Sequence, residues 1–147
     1  MTLKDRLLSD MRTAMKERAS FKKSVISMVR AAVLQIEKDK KTQLNDQGVI
    51  EVIAKEVKSR KEAIEMFRQG GRQDLIDKNE KEIEILSEYL PPQLSEAEIK
   101  EIIEDAVNKT GAAGLKDMGR VMGAVMPKVK GRAEGSIVNR LVKELLQ

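Results

Sequence analysis

The residues best suited to chemistry lie between positions 116 and 132, where cations, glycines and one proline are concentrated. Against a single acid, Asp117, the stretch holds five cations and three glycines: Lys116, Arg120, Lys128, Lys130 and Arg132, with Gly119, Gly123 and Gly131. Ammonium and guanidinium groups bind phosphate and carboxylate oxygens. Glycine lets a ligand come close to the backbone because it has no Cβ. The stretch therefore predicts a surface that binds an anionic partner.

Composition limits the other chemistry available to the chain. Its 147 residues include no cysteine and no histidine, which excludes disulfides, cysteine nucleophiles, histidine bases and His or Cys metal ligands. Carboxylate pairs such as Glu80/Glu84 and Glu101/Asp105 are spaced i, i+4, which is typical of solvated helix surfaces. We predict no catalytic residue, no bound metal and no cofactor.

The apolar residues of the same stretch predict a helix. One face would consist of residues at i, i+3, i+4, i+7 and i+8, namely Met118, Val121, Met122, Val125 and Met126. Gly119 and Gly123 leave a flat strip beside that face, at a cost of roughly 1 kcal/mol each in helix propensity. Two interpretations stay open at this point. A neighbouring helix packs closely on the strip, or the backbone of a ligand such as a sugar-phosphate chain does.

Pro127 predicts that this helix ends at Met126 and that a turn follows. The next helix is predicted to begin near Gly135, and a helix N-terminus offers free N–H groups to anions. The cations expected beside those N–H groups are Lys128, Lys130 and Arg132. These charges would suit phosphate oxygens, although a solvated loop explains them as well.

Aromatic residues restrict what kind of nucleic acid this surface could bind. Residues 90–147 contain none, whereas proteins that recognise single strands stack bases on aromatic rings. A nucleic-acid partner would therefore be a folded RNA or a duplex, recognised by its shape and phosphates.

The elements that position these residues all read as helices, so the fold class is predicted to be all-α. Composition agrees, with 35% charged and 2% aromatic residues. Four helices are expected at about 3–18, 20–41, 46–69 and 74–90, with Met15 and Met28 on apolar faces. Three more are expected at about 96–110, 115–126 and 135–146. Pro91-Pro92 predicts a linker between a four-helix bundle at 1–90 and a three-helix domain at 93–147.

Three segments together resemble the GatB/YqeY family along the whole chain. They are the run from Asp117 to Gly135, the run from Gly71 to Leu75, and the run from Glu88 to Ser95. The resemblance implies two helical bundles and kinship with the C-terminal domain of the B subunit of glutamyl/aspartyl-tRNA amidotransferase, a domain that contacts tRNA.

Carried over by motif, the resemblance implies particular contacts and partners. The tRNA-backbone contacts would be Lys116, Arg120, Lys128, Lys130 and Arg132, with close approach at Gly119, Gly123 and Gly131. Partners would be tRNA and either a tRNA-dependent amidotransferase or an aminoacyl-tRNA synthetase. The family is also associated with carbon–nitrogen ligase activity with glutamine as amide donor. Because related enzymes keep their glutaminase and ATP sites in other domains or subunits, we expect that label to be inherited.

Three hypotheses for function follow. The first is a non-catalytic tRNA-binding module, the second a protein-interaction adaptor with an exposed Met/Val/Gly groove, and the third a component of a glutamine-dependent amidotransferase. The first ten residues resemble neither a secretory signal nor a transit peptide, and no window reaches membrane-spanning length. A cytoplasmic location without a membrane partner is therefore expected.

Overall fold

The computed structural model describes residues 1–147 and confirms the predicted all-α class. Its regular structure consists of seven α-helices and one 3-10 helix, without strands. The α-helices are α1 Leu3–Lys16, α2 Ser20–Lys40, α3 Asp46–Gln69, α4 Gln73–Ser87, α5 Glu96–Thr110, α6 Met118–Val129 and α7 Gly135–Leu146. The 3-10 helix, Leu115–Asp117, directly precedes α6.

The chain divides into two compact units, Met1–Leu90 and Pro91–Gln147. Helices α1 to α4 lie in the first unit, and α5 to α7 with the 3-10 helix lie in the second. The finer predictions of a four-helix and a three-helix bundle, and of separate domains joined by a linker at 91–92, stay predictions.

An aliphatic core stabilises the first unit. Leu7, Val29, Ile53 and Leu86, one from each helix, are almost completely buried in a single cluster. Burial of each such side chain contributes roughly 1.5–3 kcal/mol. Tyr89 is buried against the same cluster, and its hydroxyl donates a hydrogen bond of 2.5 Å to Asp10. The chain turns inward at Tyr89, so α4 ends at Ser87 and not near residue 90 as predicted.

A buried ion pair joins α3 to α4 within this unit. The Arg60 guanidinium donates to Glu82 Oε2 at 2.8 Å and to Glu56 Oε2 at 2.7 Å. Arg60 and Glu82 are the buried charged residues of the core, and each is satisfied by the other. Such a pair is costly to break, because the remaining partner would be a buried, uncompensated charge.

Two methionines assigned to apolar faces lie at the surface instead. Met15 is 54% exposed and Met28 45% exposed. Smaller neighbours fill the core at these points, since Ala14 and Val29 are buried while the adjacent methionines lie at the edges of their helix faces. The prediction that Met28 is buried is therefore wrong.

Helices α5 to α7 enclose the core of the second unit. Ile103 of α5, Val125 of α6 and Leu141 of α7 are each at most 2% exposed. The predicted capping box at the start of α5 is confirmed, since Ser95 and Glu98 exchange hydrogen bonds with each other's backbone N–H groups. Gly111 ends the helix in the left-handed conformation, with φ of 69°.

The predicted end of α6 at Met126 is wrong, because the helix includes Pro127 and continues to Val129. Val129 is completely buried, so its packing favours one more helical turn. Pro127 cannot donate to the carbonyl of Gly123, four residues earlier. Gly123 is exposed, and water can therefore satisfy that carbonyl.

Candidate anion-binding surface

Helix α6 presents two different faces. Val121, Val125 and Val129 are completely buried in the core, whereas Gly119 and Gly123 are exposed on the opposite side. A Cβ added at either glycine would meet no atom within 4 Å. The interpretation that a neighbouring helix packs on these glycines within the unit is therefore contradicted. We call Gly119, Gly123 and the exposed backbone between them the glycine strip.

Two predicted cations flank the glycine strip. Arg120 donates to Asp117 Oδ1 at 2.9 Å and remains 59% exposed at its side chain. Asp117 Oδ2 accepts the backbone N–H of Ala113 at 2.9 Å. That backbone hydrogen bond, followed by Arg120 and Lys116, holds the pKa of Asp117 below its usual value. Asp117 thus fixes the loop before α6 and orients Arg120, while Lys116 is exposed beside them.

Lys128 lies on a different side of α6, against α5. Its ammonium is 3.6 Å from Asp105 Oδ2, which also pairs with Lys109 at 3.0 Å. The hydrogen bond from Lys109 is the main reason that the pKa of Asp105 is lowered, and Lys128 contributes further. Part of the Lys128 charge is therefore compensated within the unit.

The basic turn, residues 130–134, is held by the segment just before α5. Gln93 Nε2 donates to the carbonyl of Gly131 at 2.9 Å, and the Leu94 N–H donates to the carbonyl of Arg132 at 2.8 Å. Gly131 has φ of 77°, a left-handed conformation that favours glycine. These two contacts give Gln93 and Leu94 a positioning role that sequence reasoning missed, although both belong to a segment that carried the family resemblance.

Acids surround this turn. Glu134 is the N-cap residue of α7, so a carboxylate stands at the helix start where a phosphate was expected. Arg132 lies near Glu98 of α5 and contributes to lowering its pKa, after the hydrogen bonds from Ser95. The structure therefore places the predicted cations in two settings. Lys116 and Arg120 flank an open helix backbone, whereas Lys128 and Arg132 face acids of α5. Their roles as tRNA contacts stay predictions, as does that of Lys130.

The fold and this surface define a small all-helical protein whose chemistry is that of binding anions with exposed cations and backbone. The chain belongs to the Yqey-like protein family, whose sequence profile matches residues 4–146. The predicted relationship to the GatB/YqeY family is thereby confirmed.

Individual relatives fall into two groups. Altered inheritance of mitochondria protein 41, mitochondrial, of Pyrenophora tritici-repentis is 30% identical over 144 residues, covering 96% of this chain and 79% of that protein. A glutamyl-tRNA(Gln) amidotransferase subunit of Methanobrevibacter smithii is 50% identical over 58 residues, covering 37% of this chain and 9% of that protein. Its counterpart of the same name in Thermococcus sibiricus is 40% identical over 58 residues, with the same coverage of 37% and 9%.

These relatives bear on location and membrane association. The fungal relative is named as mitochondrial, so the cytoplasmic location expected for this chain stays a prediction. No helix of the structure combines the length and apolar character needed to cross a bilayer.

Proposed function

We propose that this chain is a non-catalytic tRNA-binding module that recognises the shape and backbone of tRNA through its second unit. The observation that carries the proposal is the glycine strip. Two exposed glycines weaken a helix by roughly 1 kcal/mol each, and no packing within the unit offsets that loss. A partner that comes close to the helix backbone would offset it, and the flanking cations Lys116 and Arg120 suit phosphates.

Similarity supports tRNA as the anionic partner. The two archaeal relatives named above are amidotransferase subunits for glutamyl-tRNA(Gln), and the shared segment covers only 9% of the Methanobrevibacter protein. A short segment that recurs in a protein of different overall size is suited to a portable role such as substrate binding. A tRNA-dependent amidotransferase or an aminoacyl-tRNA synthetase is the partner enzyme that this proposal implies, in the cytoplasm.

A catalytic role is the weaker proposal. Without histidine or cysteine, the chain lacks the side chains that most often serve as general base and as glutaminase nucleophile. We therefore assign the carbon–nitrogen ligase activity associated with the family to other subunits or domains of the enzymes that contain one.

The adaptor hypothesis loses its proposed groove. Val121 and Val125 are completely buried, and Met118, Met122 and Met126 pack against the same core. What α6 offers to a partner is therefore glycine backbone and charge, which favours an anionic ligand over an apolar helix.

A tRNA-binding titration at several salt concentrations tests the proposal. Wild-type chain should bind tRNA more tightly than a random DNA duplex, with affinity falling steeply as salt rises. The double variant Lys116→Glu/Arg120→Glu should weaken tRNA binding and reduce the salt slope by about one per lost phosphate contact. The triple variant Lys128→Glu/Lys130→Glu/Arg132→Glu measures the contribution of the second group of cations.

A matched control separates site from net charge. Lys78→Glu/Lys81→Glu changes the charge equally at exposed positions of α4 in the first unit. Equal tRNA affinity in the control and in the Lys116/Arg120 variant would refute a specific surface on α6. Equal affinity of the wild-type chain for tRNA and random duplex would refute tRNA recognition altogether.

A further inference from the structure

The end of the α1–α2 hairpin is the most positively charged part of the chain. Residues 1–30 hold eight Lys and Arg against three Asp and Glu. Asp5 is engaged in the capping box of α1, and Asp10 accepts the hydroxyl of Tyr89. Lys22 has its own acid, Glu88, at 4.0 Å. Of the acids in this segment, only Glu17 is left near the connection between α1 and α2.

Six exposed side chains surround this connection, and we call them the hairpin patch. They are Arg12, Met15, Lys16, Arg18, Phe21 and Lys23. A short connection keeps them together, since the Ala19 N–H donates to the carbonyl of Ala14 at 2.8 Å. All six lie within about two helical turns of that connection.

Phe21 gives the hairpin patch an aromatic surface. It is 39% exposed, whereas Tyr89 is buried and Phe67 half-buried. Met15, 54% exposed, adds a polarizable apolar surface on the last turn of α1. An exposed ring among cations is the arrangement with which proteins bind unpaired nucleic acid, because any base can stack on the ring while cations hold the flanking phosphates.

Helix electrostatics do not account for these cations. Lys16 at the end of α1 is favoured by the helix dipole, but Lys22 and Lys23 lie in the first turns of α2, where cations are unfavourable. That first turn contains no acid. Arg18 has φ of 57°, a left-handed conformation that costs energy for any residue other than glycine. Cations thus occupy positions where helix and backbone preferences favour other residues.

We infer that the hairpin patch binds an unpaired segment of RNA, with one base stacked on Phe21 and the adjacent phosphates on the four cations. A membrane surface fits the patch less well. Interfacial helices insert a long apolar face, and the apolar faces of α1 and α2 are buried through Leu7, Ala14, Val25 and Val29. This surface is separate from the glycine strip, which has no aromatic residue, and it reads a different feature of RNA.

Full-length chain is titrated with two labelled RNAs, a hairpin with an open loop and a fully paired duplex with the same number of phosphates. Phe21→Leu keeps an apolar side chain but removes the ring. It should weaken binding to the open loop about fivefold or more and leave binding to the duplex unchanged. Phe21→Tyr, which keeps a stacking surface, should bind both RNAs like the wild type.

Charge variants test the cations. Arg12→Gln/Lys16→Gln/Lys23→Gln should weaken loop binding more than Lys58→Gln/Lys78→Gln/Lys81→Gln, which removes the same charge from exposed sites of α3 and α4. Circular dichroism confirms that each variant is folded. Equal loss in both triple variants, or unchanged loop binding by Phe21→Leu, overturns the inference. So does patch-dependent binding to anionic lipid vesicles in place of RNA.

The proposed function and this inference can fail separately. Lys116→Glu/Arg120→Glu should retain the fivefold effect of Phe21→Leu on the open loop, because that effect arises in the first unit. If the glycine strip does not bind tRNA, the preference of the hairpin patch for unpaired RNA is still measurable with the same two RNAs.

Discussion

Replacing the two strip glycines with alanine should stabilise the second unit and weaken its binding to tRNA. Gly123 lies in the interior of α6 with helical backbone, and a Cβ there meets nothing within 4 Å. Alanine at this position should raise the free energy of unfolding by about 0.8–1 kcal/mol. Gly119 lies in the first turn of α6, where propensity counts for less, and its gain should be smaller.

Thermal unfolding and tRNA titration together measure the two effects. A gain of 1 kcal/mol corresponds to about 4–8 °C in Tm for a domain of 60–100 residues, a size near that of the second unit. Two added methyl groups would keep a ligand backbone away from the helix. Loss of one close polar contact, worth about 1 kcal/mol, weakens tRNA binding roughly fivefold. Stability and affinity should therefore change in opposite directions.

Gly70→Ala in the first unit is the control. Its Cβ would be 3.8 Å from the carbonyls of Met66 and Phe67, an ordinary contact, so no change in tRNA affinity is expected. Higher stability of Gly119→Ala/Gly123→Ala with unchanged tRNA affinity would refute close approach at the strip. Unchanged or lower stability would refute the premise that no packing occupies the space beside these glycines.

Three further predictions concern stability and charge. Arg60→Met should lower the free energy of unfolding by about 3–5 kcal/mol in urea denaturation by leaving Glu82 buried and unpaired, and Arg60→Met/Glu82→Leu should recover most of it. Ser95→Ala should cost about 1 kcal/mol by removing the α5 cap. Because the pKa of Glu98 is lowered below its usual 4.5, its contribution is present above that pH and lost as pH falls through the folded pKa, so the Ser95→Ala penalty should shrink in acid. Asp105→Asn should tighten tRNA binding a few-fold and steepen its salt dependence, and an unchanged slope would refute a phosphate contact by its paired cations.

Local signals predicted helix ends where the deciding atoms are close in sequence. The caps at Asn45 and Ser95 and the glycine stop at Gly111 are all present as expected. Each depends on a side chain or backbone conformation within four residues. For the same reason, the all-α class could be predicted from periodicity alone.

Features that depend on tertiary packing could not be predicted in this way. The local preference of Pro127 is to stop a helix, but the burial of Val129 outweighs it. Periodicity could not decide between Met28 and its smaller neighbours as core residues, because both fit the same stripe. The contact between Gln93 and Gly131 joins residues 38 positions apart, and no local pattern indicates it.

The candidate site shows the same limit in its electrostatics. Sequence alone predicted that the basic turn would be the phosphate site because its cations are clustered along the chain. Folding brings Asp105 to Lys128 and Glu98 near Arg132, so clustering in sequence does not produce an uncompensated patch. The glycines were the more informative signal, but only the structure could show that the space beside them is open.

Charge placement, more than net charge, should therefore decide what the second unit binds. Between residues 91 and 147 nine Lys and Arg face eight Asp and Glu, so long-range attraction to nucleic acid is weak. Discrimination of tRNA from a random duplex would then arise at short range, where a curved backbone fits against the glycine strip beside Arg120. On that basis, shape should limit affinity more than charge does. Adding one exposed lysine to α7 should improve tRNA and random duplex equally, whereas Gly123→Ala should weaken tRNA alone.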